Sequence, residues 1–238
     1  MPTPLRMKLI AVVLSLCSID QSFAADPTES LRKEIDAAIG KFEESNTSAS
    51  ARLLEAFDKQ AGLVAKSPKL KSDEKDSVIA AIDAEKADFQ RQGTLPFSPA
   101  MRRSAVLYLN SLADAKTKAE KPFDKAITYY RTKAKDSATA TELTDEKQKL
   151  LGRRLLATWT FTHSQFGTYS VPMYSDGSAG PNKSWTLDDA GMVIRHRTQA
   201  APQGCWVDKG AIDLSGKTCE IKNQLGHVKK GVLSDPDK

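Results

Sequence analysis

The sequence predicts an α+β protein, with N-terminal antiparallel helical hairpins of coiled-coil character followed by a small antiparallel β-meander that curves into a partly closed barrel. Three observations predict it. Apolar residues recur at helical spacing from Leu31 to Leu151. Aromatic and β-branched residues gather in short runs from Leu155 onward. Turn residues punctuate those runs roughly every 8 to 12 positions, which is the rhythm of an antiparallel sheet.

The chain has 238 residues, with 35 Lys+Arg against 30 Asp+Glu, 40% hydrophobic and 7% aromatic. That length permits one or two domains with an ample core, and the charge is too balanced for a disordered chain. The surplus of positive charge is dispersed: 22 basic against 21 acidic residues over 25–149, and 11 against 8 over 150–238. A nucleic-acid footprint would be concentrated, so nucleic acid is not an expected partner.

Residues 1–24 have the order of a secretory signal. Arg6 and Lys8 precede the apolar run Leu9 to Cys17, and Ser22 and Ala24 place small side chains where a signal peptidase reads. Cleavage is expected after Ala24, giving a secreted or periplasmic protein. The apolar run is too short to cross a bilayer, so no stable membrane span is expected after cleavage. A lipobox reading of Leu14 to Cys17 meets bulky Leu16 where that motif needs a small residue.

Residues 25–152 read as helix. Asp26, Pro27 and Glu29 form a start signal. Leu31, Ile35, Ala38 and Phe42 make one apolar stripe, which resumes at Leu53, Phe57, Ala61 and Val64 beyond a polar stretch at 45–48 that suggests a loosened turn. Ser72 to Glu74 start a second helix with Val78, Ile79, Ile82 and Phe89 inward, and Gly93 ends it. Leu95 to Phe97 are extended, because the residue before a proline avoids the helical well. Ser98 and Pro99 cap a third helix whose stripe from Met101 to Ala119 keeps heptad spacing. Pro122 is expected to kink or break it before Phe123, Ile127 and Tyr130 carry the stripe onward. Thr139 with Glu142 reads as a capping box for a fourth helix ending at Gly152. The tetrapeptide Ala56-Phe57-Asp58-Lys59 recurs as Pro122-Phe123-Asp124-Lys125, and Ala84-Glu85-Lys86 as Asp145-Glu146-Lys147. A duplicated unit, one long helix folding back as a shorter one, fits that repeat.

Residues 153–238 change period. Strands are expected around Leu155–Phe161, Gly167–Val171, Met192–His196, Ala211–Leu214 and Thr218–Lys222, with a last one beginning at Gly226. Turns fall at Ser175–Gly177, Asp188–Gly191 and Ser215–Lys217.

All three tryptophans lie in this second half. Trp159, Trp185 and Trp206 are candidates for lining a ligand groove, and equally for filling a small sheet's core, with Trp206 beside Gly204 best placed for a rim. Export would leave Cys205 and Cys219, 14 apart, as the remaining cysteines and disulfide candidates. A bridge of that span would stabilise the fold by about 3 kcal/mol. Against it, a hairpin at 215–217 puts Cys219 opposite a position near Asp213, so pairing needs a bend around Val207 to Gly210.

His163, His196 and His227 share no helix-turn or alternate-strand spacing, so a zinc site would need three separate strands to converge, and no metal is expected. Catalytic signatures are absent: Gly177-Ser178-Ala179-Gly180 lacks the hydrolase elbow's spacing, and neither a phosphate loop nor His-Glu-x-x-His occurs. Helical carboxylates beside lysine, such as Asp83 and Glu85 near Lys86, read as an exposed ion-paired face. No catalytic residue and no cofactor is assigned.

Leu95-Pro96-x-Ser98-Pro99-Ala100, a tryptophan strand, an Asp-Gly turn and Gly204-x-Trp206-Val207-Asp208 together resemble a pattern in uncharacterised secreted proteins of planctomycete-type bacteria. The chain departs in having Ala157-Thr158 where a glycine usually precedes the first tryptophan, and in its two cysteines. The resemblance implies a coiled-coil helical region followed by a lipocalin-like β domain, and implies no activity.

The expectation is therefore an exported, non-enzymatic protein, its helices a spacer or self-association element and its β half an interaction module. Expected partners are a second copy through the helices and a polysaccharide or other cell-envelope component. A carbohydrate- or lipid-binding module built on the tryptophans is the alternative. A hydrolase assembled from His163, His196 or His227 with Asp208 ranks last.

Overall fold

The computed structural model describes residues 27–165 and 167–234. The targeting segment, its Cys17 and the Asp26 cap lie outside the described residues.

Four helices, α1 (Pro27–Ala65), α2 (Ser72–Gln92), α3 (Arg102–Tyr129) and α4 (Ser137–Leu151), precede seven strands. α1 packs against α2 and α3, and α3 against α4. Among the described residues no helix is long and apolar enough to cross a membrane.

The helices correct the sequence reading in five places. α1 runs unbroken through 45–48, because Ala49 continues the buried stripe to Leu53 and the Thr47 hydroxyl donates to the Glu43 carbonyl within the helix (2.9 Å). α3 likewise passes through Pro122 without breaking, with Ala119, Phe123 and Ala126 all buried around it, so packing outweighs the one hydrogen bond that proline removes. It ends instead in a π-helical turn, Tyr130–Ala134, closed by Lys135 in the left-handed region.

α4 starts on Asp136, whose carboxylate accepts the Thr139 N–H (3.0 Å) and hydroxyl (2.7 Å), so the aspartate displaces the expected Thr139–Glu142 box. Ser98 does not cap α3, because its hydroxyl donates to Glu85. Glu85 itself is buried, three residues after Ile82 and four before Phe89, on the stripe rather than on an exposed charged face.

The strands are β1 (Leu155–His163), β2 (Gly167–Tyr174), β3 (Lys183–Asp188), β4 (Gly191–Arg197), β5 (Cys205–Ile212), β6 (Thr218–Lys222) and β7 (Val228–Leu233). They form one antiparallel sheet in the order β2-β1-β7-β6-β5-β4-β3, curled into a half-barrel. The β2–β3 connection is stitched to both edges, with Tyr174 N–H donating to Ser178 O (3.0 Å) and Trp185 N–H to Gly177 O (2.8 Å).

Two glycines permit the curl. A Cβ on Gly210 would lie 1.9 Å from the Glu220 carbonyl oxygen, and one on Gly231 would lie 2.5 Å from the Phe161 ring. β3 and most of β5 lie outside the strands expected from sequence, and Asp208 and Gly210 are residue types depleted in strands.

Helices and sheet share one core. Phe57, Ile82, Phe89 and Met101 belong to the same buried cluster as Trp159, Met173, Met192 and Ile221. Phe97 plugs the half-barrel from the helical side, edge-on to Trp159 (centroids 5.3 Å apart, 89° between planes) and tilted against Trp185 (6.2 Å).

Polar contacts fix the seam. Glu85 Oε1 accepts the N–H groups of Phe97 (2.6 Å) and Ser98 (2.7 Å), while Oε2 accepts the Ser98 hydroxyl (2.6 Å). Lys217, at the β5–β6 turn, pairs with Asp88, and Leu95 N–H donates to Leu156 O (3.1 Å). A second, separate cluster, around Leu31, Ile35, Phe123 and Leu151, holds together the far ends of α1 and α3 with α4.

Candidate ligand site in the mouth of the half-barrel

Side chains alternate across a strand, so each strand's inward face can be followed from the helical end to the open end. At the helical end the concave face is apolar: Trp159, Met173, Leu187, Met192 and Ile212 are all buried. Two to six residues further along the same phase it turns polar. Trp159 and Phe161 lead to His163, Val171 to Tyr169, Trp185 to Lys183, Ile194 to His196, and Ile212 to Asp208 and Trp206. These polar residues, with Asn223, His227 and Lys229, line a cavity of about 400 Å³ whose floor is Val171 and Ile194.

Register sets their order. Lys183, His196 and Trp206 are direct cross-strand neighbours on β3, β4 and β5, and Asp208 faces Ile194 one row inward. Across the concavity His163 is opposite Lys229. The Lys229 ammonium reaches back to Asp208 Oδ2 (2.6 Å), and both side chains are deeply buried, at 13% and 7% exposure. The other carboxylate oxygen, Asp208 Oδ1, is buried with no hydrogen-bond partner among the described residues. An unmet acceptor in such a place is costly unless something donates to it.

The remaining groups are tuned by the same charges. Burial lowers the His196 pKa below its ordinary value, and the nearby Lys183 and Lys229 charges add to this, with Asp208 opposing. At neutral pH His196 is therefore uncharged and offers one donor and one acceptor. Burial raises the Tyr169 phenol, and Asp208 adds to this while Lys229 opposes it. His163 Nδ1 accepts the Gln165 N–H (3.0 Å), which puts the proton of the neutral ring on Nε2. Its ring meets His227 edge-on at 5.9 Å. The Lys183 ammonium sits over the Tyr169 ring, 5.5 Å from its centroid.

Of the predicted tryptophans, only Trp206 reaches this mouth. Trp159 and Trp185 are 0% and 2% exposed, and the Trp185 indole N–H donates to Tyr174 O (3.0 Å). Both belong to the core and are removed from the candidate binding set.

The disulfide expectation is also corrected. Cys205 and Cys219 are free thiols. Cys219 faces Ile212, which is seven residues along β5 from Cys205. At about 3.3 Å per residue that is about 23 Å, far beyond disulfide reach.

The three histidines do converge, from β1, β4 and the β6–β7 turn, which their spacing did not reveal. Even so, among the described residues no group of three or more His, Cys, Asp or Glu is placed to hold a metal ion. Nor does a serine, threonine or cysteine line the cavity. The signal that could have found the site is the i, i+2 continuation of each core strand into a polar residue.

No family model, curated protein or solved structure matches the chain.

Proposed function

We propose that this chain is an exported, non-enzymatic carbohydrate-binding protein, related to the secreted planctomycete-type group, with the sugar held in the mouth of the half-barrel. One observation carries the reading: the half-buried Trp206 indole shares a cavity with a buried carboxylate oxygen, Asp208 Oδ1, that lacks a donor. A sugar ring offers both complements at once, an apolar face of C–H groups for the indole and a hydroxyl for the carboxylate. An acyl chain would leave Asp208 unmet, which argues against the lipid alternative.

The cavity's size is that of a small-molecule site, and it suits one or two rings. The helices act as a spacer. α1 alone spans 39 residues, about 58 Å at 1.5 Å per residue, and its far end packs only within the second cluster. Self-association through the helices belongs to the same proposal, and light scattering on the mature protein would give its mass.

The test is titration of intrinsic fluorescence and heat with peptidoglycan and polysaccharide fragments. A saturable response that Trp206→Ala abolishes supports the reading. A flat response across the panel, by both heat and fluorescence, overturns it.

A further inference from the structure

We infer that the mouth selects acidic sugars, taking the carboxylate of a uronate-type ring on Lys183 while a ring hydroxyl donates to Asp208 Oδ1. This deepens the carbohydrate reading above and rests on it.

The argument is one of charge accounting within the cavity. Three charged side chains line it, Lys183, Lys229 and Asp208. Lys229 and Asp208 neutralise each other at 2.6 Å. Lys183 remains, and among the described residues its ammonium has no carboxylate partner, only the Tyr169 ring. A half-buried cation without a counter-charge, held at the lip by a ring face, is a receptor for an anion.

The surrounding row fits the rest of such a ligand. His196 lies directly between Lys183 and Trp206, so an indole platform, a neutral imidazole and an ammonium follow one another across three strands. A uronate ring stacked on Trp206 presents its carboxylate at one end of that row and its hydroxyls toward Asp208. A neutral sugar satisfies Trp206 and Asp208 and leaves Lys183 unmatched.

The experiment is calorimetric titration of the full mature chain with a uronate disaccharide and with its carboxyl-reduced counterpart, which differs only in the charged group. The uronate is expected to bind about tenfold tighter, the scale of one hydrogen bond to a charged group. Lys183→Met should erase that factor, so that the two sugars bind alike, while Lys183→Arg should keep it. Equal affinities for the two sugars, or a Lys183→Met loss shared by both, would overturn the acidic preference and leave the carbohydrate reading standing. If neither sugar binds, both fall together.

Discussion

Replacing Glu85 by alanine removes three hydrogen bonds at once from the seam that joins the helices to the half-barrel. The Phe97 N–H, Ser98 N–H and Ser98 hydroxyl now end on Glu85 at 2.6–2.7 Å. Each buried donor left unmet costs about 1–3 kcal/mol, partly offset because the carboxyl itself no longer has to be buried. The expected net loss is about 3–4 kcal/mol, or roughly 10 °C in Tm for a chain of this size.

Glu85→Gln keeps Oε1 for both N–H groups and turns an amide N–H toward the Ser98 hydroxyl, so its loss should be within about 1 kcal/mol. The pH response separates the two further. Burial raises the Glu85 pKa above its ordinary value, with the Ser98 and Phe97 hydrogen bonds and the Lys217 charge opposing. The folded state therefore holds the proton more tightly than the unfolded chain does. That contribution is complete below the ordinary carboxyl pKa of 4.5 and is lost as pH rises through the higher folded value. Glu85→Gln should flatten this part of the profile.

Urea unfolding followed by tryptophan fluorescence is the assay, since Trp159 and Trp185 sit in the shared core. An alanine loss under about 1 kcal/mol, or a glutamine variant as unstable as the alanine one, would refute the assigned role of the seam.

Three further outcomes follow from the same packing. Gly216→Ala would put a Cβ 2.2 Å from Glu85 Oε1 and 2.8 Å from Ser98 N at a φ of +72°. It should cost about 2–3 kcal/mol, and less than that in the Glu85→Ala background, as a double-mutant cycle in urea would read. Phe97→Ala opens a void between Trp159 and Trp185 and should cost about 3–5 kcal/mol by thermal or urea unfolding. Burial pushes the Cys219 thiol up to about 12. Iodoacetamide at pH 8 should therefore label half-buried Cys205 first, and Cys219 only once urea unfolds the chain, with the sites read by mass spectrometry.

The change of folding period near Gly152 was legible because helical and strand repeats differ at the level of single residues. Leu31 to Leu151 repeat every three or four positions, and Trp159 and Phe161 alternate by two. Glu85 was misread because its lysine neighbour suggested a solvated face. Only its phase relative to Ile82 and Phe89 reveals burial. Pro122 and the polar run at 45–48 were misread because local propensity was weighed without the neighbouring helix that holds the segment in place.

The site was half legible. Trp206 was singled out and Asp208 grouped with the histidines, yet nothing in linear spacing brings His163, His196 and His227 to one cavity. That takes the register of β1, β4, β5 and β7 in a curled sheet, with Gly210 and Gly231 permitting the curl. Lys183 had only its place two residues before Trp185 to mark it, and Lys229 had no such neighbour, since a lone lysine in a strand is ordinarily solvent-facing.

The mouth of the half-barrel can be interrogated through three atoms. A proton–nitrogen correlation spectrum resolves the indole N–H groups of Trp159, Trp185 and Trp206, two locked in the interior and one at the opening. Adding the uronate disaccharide should move the Trp206 signal in a saturable way and leave the other two where they are. Movement of the Trp159 and Trp185 signals with Trp206 unmoved would mean that the sugar, if it binds at all, does so elsewhere.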